Sequence, residues 1–247
     1  MAAGMGTTTG IIMGTASPEP LPGAADRAVL VRLLHLVSPS LPVGAYTYSQ
    51  GIEWAVEQGW LADVNQVEHW LADQLDHALA PLDLPIAVRM MAAVAAADTG
   101  ALAGWIDVLL ASRESSELRA EERQRGRALA DLLCAWELAD APTWRDLLAQ
   151  SQTAGFAFAA VRWRISVPDA LAGLAFSWVE NLALAAVKLV PLGQTDGQRL
   201  LANLGARIPA AVDLALGMDD DGIGAASPAL AIASARHEQQ YTRLFRS

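Results

Sequence analysis

"DVNQVEHWLADQLDHALA", residues 63–80, decides the fold class. Val67, Trp70, Leu71, Gln74, Leu75, Ala78 and Leu79 return every three or four residues, the interval that lines side chains along one stripe of an α-helix. Glu68, Asp73 and Asp76 lie largely off that stripe. Asp63, with Gln66 three residues later, resembles a capping box, in which two side chains satisfy backbone N–H groups left free by the first helical turn.

The same reading extends outward. Gly59 stands just past a helix that starts near Tyr46. Before it, Asp26 caps a helix running to about Val37, which ends at the "SPSLP" turn. Downstream, Pro81 and Pro85 bracket a new start, and "IAVRMMAAVAAA" continues as helix to about Ala97. Helical spacing resumes at 101–111, 114–139, 143–149 and 152–164, and then from Pro168, a first-turn proline, to Val190. "PLGQTDG" (191–197) is a break, followed by helices over 198–206 and 209–217 and a last one from about Pro228. The "ELRAEERQRGRAL" stretch is strongly charged, with Glu121 and Arg125 at i, i+4 spacing, and is expected to face solvent or another protein. No segment alternates as a strand does. The prediction is an all-α, bundle-like single domain of about ten helices over 26–247, preceded by a disordered segment over 1–25, which is Gly/Thr/Ala/Pro-rich and aperiodic.

Composition narrows the function classes. The chain is 53% hydrophobic with a formal charge of −10, which disfavours binding driven by a nucleic-acid backbone. Cys134 is the only cysteine, so no internal disulfide forms and a reducing, cytoplasmic compartment fits. Residues 170–190 are apolar but carry Glu180, Asn181 and Lys188, which suits a buried core helix better than a membrane span. The first 25 residues lack the basic start and apolar run of a signal peptide.

The familiar chemical constellations are missing. A phosphate-binding loop needs a Gly-Lys-Ser/Thr ending, and the only lysine, Lys188, stands between Val187 and Leu189. His35, His69, His77 and His237 form no His-x-x-x-His pair, and the run Asp219, Asp220, Asp221 lacks EF-hand spacing. Ser49, in "TYSQG", lacks the nucleophile-elbow pattern and reads as a helix-start serine. No catalytic, cofactor or metal residue is expected. What remains resembles contact surface: Tyr46, Tyr48, Ser49 and Gln50, then "PLGQTDGQR", then "YTRLFRS" at 241–247, which is rich in aromatic and arginine anchors. Tyr241, Leu244 and Phe245 are equally compatible with docking back on their own domain.

Four segments together resemble the UreF family of urease accessory proteins: "LLHLVSPSLPVGAYTYSQGIEWAVEQGW" (33–60), "SRESSELRAEERQRGRAL" (112–129), "KLVPLGQTDGQRLL" (188–201) and "HEQQYTRLFRS" (237–247). Thr47 stands where family-like versions carry Ser, which keeps a hydroxyl in place. The resemblance implies an all-helical, cytoplasmic, non-enzymatic protein that serves urease maturation by nickel insertion. It further implies a homodimer, and partnership with UreD (also called UreH), the GTPase UreG and the urease apoprotein, with nickel handled by the complex and not held by this chain. It assigns docking on UreD to Tyr241, Arg243, Leu244, Phe245 and Arg246. It assigns the surface towards UreG to Tyr48, Ser49, Glu53, Lys188, Gln194, Asp196 and Arg199. Two other classes stand beside this scaffold reading. One is a direct regulator of GTP hydrolysis that supplies Arg199 or Arg113 to the nucleotide, unless these pair with Asp196 and Glu117. The other is a hydrolase built on Ser49.

Overall fold

The computed structural model describes Met1 and residues 23–225 and 227–247. The expected disordered lead-in falls mostly on residues 2–22, outside the described residues. The described residues form helices α1 (Ala24–Leu36), α2 (Ile52–Glu57), α3 (Val64–Gln74), α4 (Leu84–Ala95), α5 (Thr99–Ala111), α6 (Ser116–Ala135), α7 (Ala141–Leu148), α8 (Gln152–Arg162), α9 (Val167–Leu189), α10 (Gln194–Gly205), α11 (Ile208–Gly217) and α12 (Pro228–His237). Among them there is no strand, and one hydrophobic core runs through the bundle, so the all-α, single-domain expectation holds.

The stripe read at residues 67–79 is interior, with Val67, Leu71, Leu75 and Leu79 all buried. Asp63 caps α3 as expected, accepting from the Asn65 and Gln66 N–H groups at 2.8 and 2.9 Å. Gln66 instead accepts from Ala62 N–H at 2.7 Å, so the box closes one residue further upstream. Asp26 is a third-position residue and not a cap, because α1 starts at Ala24 and Asp26 accepts from Gly23 N–H at 2.9 Å.

Four local expectations change. No helix starts near Tyr46: a single 3₁₀ turn spans Ala45–Thr47, and positive φ at Gln50 (50°) and Gly51 (83°) delays α2 until Ile52. Pro81 does not break the chain, since a π-helical segment over Leu75–Asp83 carries α3 into α4 around it. The wider π turn absorbs the missing N–H and the ring that would clash in an α-helix. Gln194 and Asp196 belong to the first turn of α10, not to a loop. Finally, the charged stretch of α6 is not all solvent-facing: Glu121 and Glu122 are buried at 3% and 7% exposure.

Close helix approaches explain that last result. Helix α8 buries Ala154, Ala157, Ala159 and Ala160 along with Phe156 and Phe158, against α4 and α6. A side chain at Gly126 of α6 would sit 2.7 Å from the backbone of Ser151, so only glycine lets α6 pass the start of α8. That crossing carries Glu122 down to the first N–H groups of α8. Three helical stretches are long and apolar enough to cross a membrane by length and composition alone: Val64–Ala95, Val167–Leu189 and Gln194–Gly217. The first two bury 67% and 56% of their apolar window inside the bundle, which is where a core helix spends it.

Candidate partner-binding site

The turn before α2 is shaped by backbone sterics. Gly51 has φ of 83°, and a Cβ there would lie 2.9 Å from the Cβ of Ala233, so α2 and α12 touch through a position that admits no side chain. With the chain held this way, Tyr48 and Ser49 turn inward, at 3% and 0% exposure. Tyr48 donates its hydroxyl to Gln124 Oε1 at 2.7 Å. Burial, with help from the Glu121 charge, pushes its phenol above the ordinary tyrosine range. Ser49 donates both its N–H (2.7 Å) and its hydroxyl to the main-chain oxygen of Ser247.

Glu53 is the anchor of the C-terminal segment. Its Oε1 accepts from Leu244 N–H at 2.6 Å, and its Oε2 accepts from Phe245 N–H at 2.9 Å and faces His237 Nε2 at 3.2 Å. His237 is fully buried, and its Nδ1 lies 2.7 Å from Glu117 Oε2. The other oxygen of Glu117 accepts from Arg243 at 2.6 Å. Arg246 N–H donates to Thr47 O at 2.8 Å, and its guanidinium reaches Gln124. Phe245 is 6% exposed, and the Lys188 ammonium stands 5.7 Å from its ring centroid, a cation–π distance. Glu238 caps the start of α6, accepting from the Ser116 hydroxyl and from the Ser116 and Glu117 N–H groups. Those bonds, the Ser116 hydroxyl first, hold its carboxyl below the usual carboxylate range.

The tail therefore docks back, yet only on one side. Phe245 and Ser247 point in, while Tyr241 is fully exposed and Leu244 is 69% exposed. Two residue sets that the sequence keeps apart meet here: Tyr48, Ser49, Glu53 and Lys188 from one, Arg243, Leu244, Phe245 and Arg246 from the other. Gln194, Asp196 and Arg199 lie on the first turns of α10. Arg199 pairs with Asp196 at 3.1 Å, and Gln194 lines a cleft of about 290 Å³ with Glu180, Leu184 and Val187.

Beneath the tail lies a buried charge network. Arg113 holds both oxygens of Asp83 and reaches Glu122 at 3.3 Å, and does not pair with Glu117. Glu122 also accepts from the Ser151 hydroxyl at 2.7 Å and Thr153 N–H at 3.0 Å. Burial by itself would raise the Glu122 carboxyl, but Arg113 and these two donors outweigh it and hold it low. Glu121 accepts from Arg125 (2.8 Å), Gln50 (3.1 Å) and the Ser247 hydroxyl (3.3 Å). Gln50 in turn accepts from the Trp178 indole at 3.0 Å. Sequence reasoning missed Glu117, Glu121, Gln124 and His237 as members of this site. The only signal for Glu117, Glu121 and Gln124 was the charged stretch 112–129, and for His237 its place at the head of the segment 237–247. Ser49, spent on Ser247, is not arranged as a nucleophile. Among the described residues no group of three His, Cys, Asp or Glu side chains is placed to hold a metal ion.

Fold and site together define an all-helical protein whose polar residues fasten segment 243–247 to the turn before α2 and to α6, forming one surface. A family model described as UreF matches residues 61–205. The urease accessory protein UreF of Pseudomonas putida (strain W619) is 52% identical over 218 residues, covering 88% of this chain and 97% of that one. Those of Alcanivorax borkumensis and Klebsiella pneumoniae are 49% and 48% identical, over 90% and 88% of this chain and 100% and 97% of theirs. The chain belongs to the UreF family of urease accessory proteins.

Proposed function

We propose that this protein is a non-enzymatic, cytoplasmic scaffold in the maturation of urease by nickel insertion, joining UreD (UreH) and the GTPase UreG on the urease apoprotein. The observation that carries the reading is the two-sided tail: its inner side is fastened to Glu53 and Ser49, while Tyr241 and Leu244 face outward with no partner in the chain's own core. Large exposed aromatic and aliphatic side chains beside arginines are what interface hot spots are made of. Tyr241→Ala with Leu244→Ala is expected to weaken binding to UreD at least tenfold in titration calorimetry, with the thermal midpoint unchanged. Unchanged affinity would remove the tail from that interface. Nickel is handled by the assembly and not stored on this chain.

The homodimer is proposed through the outer face of α9. Phe176 and Leu184 are 37% and 44% exposed there, one helical repeat either side of Glu180, whose carboxyl burial alone pushes up. A second reading, direct stimulation of GTP hydrolysis, is favoured by one observation. Arg199 is exposed and paired only across a surface ion pair, which is weak enough to swing open. Arg113 is locked between two buried carboxylates and is withdrawn as a candidate. Equal single-turnover GTP hydrolysis by UreG with wild type and Arg199→Ala would end this reading.

A further inference from the structure

Between the π-helical segment, α6 and α9 lies a cavity of about 70 Å³ whose wall includes Gln50, Gln74, Arg113, Glu121, Glu122 and Arg125. Gln74 is 2% exposed, and neither atom of its amide has a hydrogen-bond partner in the protein. The Nε–H of Arg125 is also buried and unpaired, while its Nη1 holds Glu121. Buried amides and guanidinium N–H groups almost always have partners, so this wall is built for a guest.

The wall also sets the chemistry of that guest. Asp83, Glu121 and Glu122 each already hold Arg113 or Arg125, three carboxylates against two guanidiniums, so the wall repels an anion and its carboxylates are spent on the arginines. What stays open is one acceptor and several N–H donors, so the occupant must both donate and accept. The volume admits at least two waters at roughly 30 Å³ each in the liquid. The π turn supplies Leu79, Leu82 and Asp83 to the same wall.

We infer that this chamber binds a cluster of at least two ordered waters, which bridges the Gln74 amide to Arg125 and thereby sets the Glu121 carboxylate that receives Ser247. Gln74 is a positioning residue for the tail, acting through water and through Arg125. The inference rests on the fold alone and stands whether or not the scaffold reading does.

Crystals of the full chain, grown with and without xenon pressure, test occupancy directly. Ordered density on the Gln74 amide with no xenon is the expected result, and xenon in the chamber would overturn it, since dry apolar cavities take the gas. Hydrogen exchange at Ser49 N–H, which is bonded to Ser247, then reads the coupling. Gln74→Leu is expected to speed that exchange about tenfold, whereas Gln74→Asn stays within about twofold because one more water spans the missing methylene. Equal exchange in Gln74→Leu with a raised thermal midpoint would overturn the bridge. Should Gln74→Leu fail to fold, the wild-type crystals still decide occupancy, and Gln74→Met, which keeps the length and removes the amide, reads the coupling by the same exchange.

Discussion

Glu53 accepts from two consecutive tail N–H groups and faces a buried imidazole, all with one carboxylate. Neutralising it while keeping its shape isolates that duty. In Glu53→Gln one oxygen becomes a donor, so a tail N–H and His237 lose their acceptor. Such a break at a buried, hydrogen-bonded charge costs about 3 kcal/mol. Urea melts should show that loss, and exchange at Leu244 and Phe245 should rise with it. Unchanged protection at those two amides would show that Glu53 does not hold the tail. The sequence marked Glu53 as surface-forming but carried no sign of this occupancy, because its partners lie 184 to 192 residues away.

Among the elements, those whose character is local were readable and those set by neighbours were not. The stripe from Val67 to Leu79, the Asp63 cap and Pro168 at the start of α9 follow from period and propensity, and they appear where expected. The turn at Gln50 and Gly51 does not follow, since positive φ at Gln50 runs against residue preference and the close approach of Gly51 to Ala233 of α12 is remote in sequence. Gly51→Ala adds left-handed strain to a contact that is 2.9 Å even for an ideal Cβ. We expect a loss of about 2 kcal/mol, or roughly 4–8 °C in the thermal midpoint. The same substitution at Gly59, where φ is 74° but nothing lies within 4 Å, should cost about half as much. Equal costs at the two sites would mean that strain alone, and not the α12 contact, makes Gly51 necessary. Pro81 taught the converse lesson. A breaker in the sequence became a π turn because α3 and α4 are both held by the core.

At the scale of the whole molecule, the interior of α6 contributes to acid stability. Glu122 titrates lower in the folded protein than in the unfolded chain, so its contribution is complete above the ordinary carboxylate range and is lost as pH falls from that range through the lower folded value. Glu122→Gln is therefore expected to be less stable than wild type by about 3 kcal/mol near pH 7, with the gap narrowing as pH falls below the ordinary carboxylate range. A gap that does not change with pH would show that Glu122 contributes by shape and not by charge. This network was illegible because sequence assigns charges to the solvent by default. Only the three-dimensional crossing at Gly126 brings Asp83, Arg113, Glu122 and Thr153 together.

One consequence concerns the order in which the chain is made. Glu53 leaves the ribosome 191 residues before Leu244, the N–H it must receive. At typical rates of synthesis that interval is roughly 10–40 s. Through it, Glu53 and Ser49 wait without the tail groups that they bind, however early the preceding helices collapse. A nascent chain that has not yet made residues 243–247 therefore lacks the surface that Glu53 and the tail form together.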